Sequence, residues 1–235
     1  MKKPPGPLAT WFALSALLVA IRLTLQFQPD LFRSTAQAAV FGWALLPAWI
    51  GGGALGAFLA SRTGFPDPLD PRVPGRRRWL EPAALGVGLG LLAIATDRAT
   101  HWTRVAAAAV HQPTIHIAWP ASLVIYPGGA IIVEVVYRLL TIPLLLLALT
   151  ALPPLRRHAT PLFWTLACLT ALIEPLGDLE LARTSLLACA LVFTEDLALN
   201  LAQAWTFRRA GFLAAILLRA WFYLVWHVAY GLMGG

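Results

Sequence analysis

Apolar residues run along this chain in long, nearly unbroken stretches instead of alternating with polar ones at every second position. Stretches hydrophobic all round fit helices that have lipid, not water, on their outer face. Seven are recognisable, at about 8–27, 38–61, 81–98, 121–150, 161–176, 184–203 and 211–233. A bilayer helix needs ~20 residues, so the pattern predicts an all-α, polytopic transmembrane bundle of about seven spans. No solenoid-period repeat and no long linker divides it, which makes residues 1–235 one transmembrane domain. The fourth run exceeds one straight helix. Pro143 is expected to kink it, and Pro127-Gly128-Gly129 to loosen its start. Gly51-Gly52-Gly53 and Gly86, Gly88 and Gly90 are expected where helices approach closely.

Composition strengthens the membrane reading. Apolar residues are 59% of the 235 and charged ones only 12%, against about half and a quarter in soluble domains. The ten tryptophans fit a chain with two membrane–water interfaces. Charge then sets an orientation. With the N-terminus inside, eleven of the 18 basic residues fall on inner segments, among them Lys2, Lys3, Arg76, Arg77, Arg78, Arg208 and Arg209; four fall on outer segments and three within spans. The positive-inside rule therefore favours N-in, C-out in a bacterial inner membrane. It also accounts for the net charge of +7 without nucleic acid. Gly75-Arg-Arg-Arg-Trp79 reads mainly as an orientation signal, with contact to anionic headgroups as the lesser alternative. Ala36-Gln37-Ala38 has the small-x-small look of a cleavage site, but Arg22 and Arg33 precede it, so an uncleaved first helix is expected. Cys168 and Cys189 fall in predicted spans and read as inert, apolar thiols.

The polar residues inside the spans carry the functional signal, because an ionisable group in hydrocarbon costs ~2.5–3.5 kcal/mol and usually faces the bundle interior. The fourth span has Glu134 and Arg138, four apart on one face and in the order that favours pairing. The sixth has Glu195, Asp196 and Asn200. The seventh has Arg219, Tyr223, Trp226 and His227 along one stripe. Three polar faces on three helices predict one buried polar chamber; pairs that merely neutralise themselves are the alternative. His101, His111 and His116 read as outer-loop residues, His158 as an inner-loop one, and Glu174, Asp178 and Glu180 as hydrated carboxylates at the outer end of the fifth span.

"VEVVYRLLTIP" (133–143) resembles the first motif, Glu-Glu-x-x-x-Arg, of the CAAX-protease and bacteriocin-processing (CPBP) family of intramembrane proteases. The match includes Glu134, Tyr137 before Arg138, and a proline five residues after the arginine. "FRRAGFLAAILLRAWFYLVWH" (207–227) is similar to the family's closing region, and the family-like core covers about 120–235. The sequence departs from the pattern at Val133, where the family's leading glutamate stands, and at Leu197, where its second motif has histidine. The third motif finds Arg219 in the histidine place, or His227 followed by Gly231.

The resemblance implies a diverged intramembrane endopeptidase acting on a membrane-associated peptide or protein. Glu134 would be the base, Arg138 its partner, His227 a donor to the oxyanion, and Glu195 the next candidate base. Asp196, Asn200, Arg219 and Tyr223 would support them. His227 with Glu134 and Glu195 is one way to hold a divalent metal such as zinc, although no His-Glu-x-x-His pair exists and a core histidine is the equal alternative. A catalytically inactive family member that binds a peptide, lipid or partner through the same chamber is the second reading. A transporter is a weaker third, since no inverted halves are visible.

Overall fold

The computed structural model describes residues 6–31, 35–109, 111–177, 179–183 and 185–234, and every regular element among them is helical. Six helices are long and apolar enough to cross a membrane: α1 (Pro7–Phe27), α3 (Arg76–Thr100), α4 (Ser122–Thr150), α5 (Arg156–Gly177), α6 (Leu186–Ala210) and α7 (Phe212–Leu232). The stretch expected as a single second span is instead broken. Thr35–Val40 forms one short helix, the chain turns at 41–45, and α2 (Leu46–Arg62) follows with 17 residues. Gly42 accepts the turn's hydrogen bonds from Leu45 and Leu46, and Pro47 occupies the first turn of α2, where its missing N–H costs nothing. At 1.5 Å per residue α2 is about 25 Å long. Lys2, Lys3, Arg33 and Asp178 lie outside the described residues.

Close packing follows from small residues. α3 lies along α7, where a Cβ on Gly86 would stand 2.3 Å from the Leu218 carbonyl oxygen. α2 crosses the middle of α4 in the same way, a Cβ on Gly56 meeting the Leu139 carbonyl oxygen at 2.5 Å. Of the other glycines singled out, Gly53 and Gly90 also lie against neighbours, whereas Gly51 and Gly88 face open space. Tryptophans do not all ride at the surface. Trp11 is fully buried, with its indole N–H donated to the Ile50 carbonyl at 2.9 Å, and Trp102 and Trp226 are buried as well.

α4 runs unbroken through Pro127-Gly128-Gly129, so that sequence does not loosen its start. Its irregularity is a wide π turn at Val135–Leu139, with the Leu140 amide donating to the Val135 carbonyl at 3.0 Å. Pro143 has no N–H for the Leu139 carbonyl four residues earlier, and that is the carbonyl against which Gly56 packs. Proline and glycine together make this crossing. A second π turn, Leu224–Ala229, carries His227 on α7.

α6 begins at Ser185, whose hydroxyl accepts from the Ala188 amide at 3.2 Å. It ends at Gly211, which has φ +83° and sits so close to the Pro66 carbonyl oxygen that a Cβ would lie at 2.6 Å. Only glycine meets both demands. At that same end of the bundle Glu81 lies 3.5 Å from Arg76 and 3.8 Å from Arg209. In the preceding loop, hydrogen bonds from Arg72 hold the Asp70 carboxyl below its usual range.

Candidate functional site

Three spans bring their polar faces together, and a fourth joins them. Glu134 and Arg138, one turn apart on α4, form an ion pair with Arg138 Nε donating to Glu134 Oε2 at 2.6 Å; both side chains are sealed from solvent. Arg138 Nη1 donates to Asn200 Oδ1 on α6 at 2.9 Å. Asn200 is therefore the hinge between two arginines, because its oxygen also accepts from Arg219 Nη2 on α7 at 3.0 Å. Its amide nitrogen donates to Glu174 Oε2 on α5 at 2.7 Å.

Arg219 is the centre of this arrangement. Its guanidinium grips both oxygens of Glu174, Nη1 to Oε1 at 2.9 Å and Nη2 to Oε2 at 2.7 Å. Nη1 reaches the Tyr223 hydroxyl at 2.9 Å and Nε reaches Gln203 Oε1 at 2.8 Å. Together with Asn200 that makes five hydrogen bonds for five N–H groups. The fork-to-fork grip is the strong form of this pair. Gln203 in turn donates to the Ala215 carbonyl at 3.1 Å, tying α6 to α7.

Beside this network lies a cavity of about 590 Å³. Its walls come from α6 (Val192, Glu195, Asp196, Leu199), α7 (Arg219, Phe222, Tyr223, Trp226, His227), the short helix Trp102–Ala109 and the C-terminal end of α5. Glu180 and Arg183, both highly exposed, mark its opening. His227, Glu195, Asp196, Arg219 and Tyr223 thus share one chamber, as the polar stripes imply. Glu134 and Arg138 do not line it; they lie behind it, reached through Asn200. Among the described residues no three His, Cys, Asp or Glu side chains are grouped to share a metal ion, so Glu134, Glu195 and His227 do not form the expected metal set.

His227 is instead held by neighbours. Its Nδ1 lies 3.1 Å from His116 Nδ1, and its ring stacks on Tyr126 with centroids 4.5 Å apart. His116 is buried against α7 instead of solvated in a loop. Asp97 on α3 is a further buried carboxylate: it accepts from the Thr103 amide and hydroxyl at 2.9 and 2.7 Å and from the Tyr230 hydroxyl at 2.7 Å.

Glu174, Gln203, His116 and Asp97 are the residues that sequence reasoning missed. Glu174 offered a signal, since it closes the apolar run 161–173 and precedes Pro175. Gln203 lies one turn after Asn200 on α6, a position the helical spacing already pointed to.

A second, nearly apolar groove of about 290 Å³ opens between Ser122–Pro127 of α4 and Leu217–Val228 of α7. Leu123, Trp221 and Leu224 expose their side chains along it. Tyr223 lines both the groove and the polar cavity. No family model, curated protein or solved structure matches this chain.

Proposed function

We propose that the protein is a diverged CPBP-like integral membrane protein that binds an amphipathic membrane lipid, with the headgroup in the polar cavity and an acyl chain along the apolar groove. The observation that carries this reading is Tyr223, shared by a polar chamber of about 590 Å³ and an apolar groove of about 290 Å³. Volumes of that size suit small-molecule sites. In this reading Glu134 and Arg138 are structural. Their carboxylate and guanidinium are buried in contact with each other behind the cavity, where no substrate bond comes within reach.

Hydrolysis of a membrane-associated peptide is the second reading, favoured by Glu195 and His227 both lining the cavity. There Glu195, not Glu134, activates water. A general base contributes ~10²–10⁴-fold in rate, so Glu195→Gln separates the two readings. Val192→Trp fills the cavity from α6. Native mass spectrometry of the purified protein is expected to show a bound lipid that Val192→Trp lacks. A wild-type protein that carries no lipid and cleaves a membrane-associated peptide, with turnover lost in Glu195→Gln, would overturn the lipid reading in favour of the peptidase.

The orientation follows the basic residues: N-terminus inside, C-terminus outside, in a bacterial inner membrane. Arg76, Arg209 and Glu81 meeting at one end of the bundle support it. A Gly75→Cys variant is expected to react with an impermeant maleimide only after permeabilisation; labelling of intact cells would reverse the assignment.

A further inference from the structure

The polar cavity is not neutral. Its lining includes four carboxylates, Glu174, Glu180, Glu195 and Asp196, against two guanidinium groups, Arg183 and Arg219. Arg219 is taken up by Glu174, and Arg183 stands 4.0 Å from Glu180 at the exposed opening. Among the described residues, Glu195 on the inner wall has no basic group within ion-pair distance. A carboxylate at membrane depth needs a counter-charge.

Two atoms show what kind. Glu195 Oε1 is sealed from solvent and accepts no hydrogen bond among the described residues. Trp102 is 5% exposed, and its indole Nε1 is likewise sealed and donates to none of the described residues. Both residues line the same cavity. An unmet acceptor and an unmet donor in the wall of one cavity ask for a ligand that donates to one and accepts from the other. One side of the wall is aromatic: Trp102 and Trp226 are stacked with centroids 5.8 Å apart, and Phe222 and Tyr223 also line it. Aromatic faces with a carboxylate are the surroundings that attract an organic cation.

We infer that the chamber recognises a primary ammonium group with a neighbouring oxygen, the ammonium set between Glu195 and the aromatic wall and the oxygen accepting from the Trp102 indole N–H. This chemistry is that of an ethanolamine unit, carried by a lipid headgroup or free in solution. The inference rests on the ligand-binding reading of the cavity and narrows it to one ligand class.

The test is a tryptophan-fluorescence titration of the detergent-purified protein with ethanolamine and with 1-propanol, which replaces the ammonium by a methyl group. Ethanolamine is expected to bind about tenfold tighter or more, because only it pairs with the carboxylate. Glu195→Gln is expected to erase that preference; the wild-type comparison stands by itself should the variant not fold. Equal binding of ethanolamine and 1-propanol, or a preference that survives in folded Glu195→Gln, overturns the inference. Two further ligands name the source. Lysophosphatidylethanolamine binding much more tightly than ethanolamine assigns the ammonium to a lipid; equal binding assigns it to the free amine. Lysophosphatidylglycerol binding as well as lysophosphatidylethanolamine overturns the ammonium inference and leaves the lipid-binding reading intact. If neither lysolipid binds, the lipid reading fails as well.

Discussion

Two stretches of α6, little more than one turn apart, treat buried polar groups in opposite ways. Around Asn200 and Gln203 every donor of Arg219 has an oxygen within 3.0 Å. Around Glu195 a carboxylate oxygen and an indole N–H of cavity-lining residues have no hydrogen-bond partner among the described residues. Both stretches carry the cost of polar groups at membrane depth. The first offsets it internally, so its role is to hold four helices in register. The second leaves it open, as the proposed ligand site requires.

The contrast can be broken by substitution. Arg219→Ala should have the largest effect, since it strands Glu174 and Gln203 in the interior. Removing one partner of a buried pair costs about 3–5 kcal/mol. Unfolding followed with a thiol-reactive dye at the buried Cys189, in a Cys168→Ala background, reads this directly. Glu134→Gln comes next. It keeps an oxygen for Arg138 Nε but removes the charge, and weakening a charged hydrogen bond of this kind costs about 1–3 kcal/mol. A folded Glu134→Gln protein of unchanged stability that loses a peptidase activity would return Glu134 to the role of base and end the division between the two stretches. Glu195→Gln should have the smallest effect on stability, within about 0.5 kcal/mol, because no hydrogen bond to Oε1 is lost. A loss as large as that of Glu134→Gln would mean that Glu195 belongs to the scaffold.

Much of this architecture was legible in the chain. Long apolar runs have one physical outcome, and six of the seven expected spans exist at nearly the expected places. The exception, α2, was misjudged because residues 38–45 are as apolar as a helix yet contain the Gly42 turn and precede Pro47. The stripe on α7 places Arg219, Tyr223 and His227 at one cavity, and the Asp196–Asn200 face of α6 brings Asn200 to Arg219. What the spacing could not supply is depth. Glu134 and His227 both sit on inward faces, but only the packing of α5 and α6 decides that one is walled off and the other lines the chamber. The same limit applies to Glu174: an acidic residue at the end of a span is hydrated or paired according to whether an arginine from another helix reaches it, and Arg219 lies 45 residues further along the chain.

The shortness of α2 has a consequence outside the protein. Wherever this helix crosses, it offers about 25 Å of apolar length to a hydrocarbon layer of ~30 Å. A crossing helix that short is accommodated by thinner lipid around it, by snorkelling of flanking side chains or by association, at a cost of fractions of a kcal/mol for each ångström. Thr35–Val40 and the turn at 41–45 directly precede it, with Trp43 and Leu45 exposed. Membrane thickness is therefore a variable to which this bundle responds: its stability should differ between short-chain and long-chain lipid bilayers even though no contact within the protein has changed.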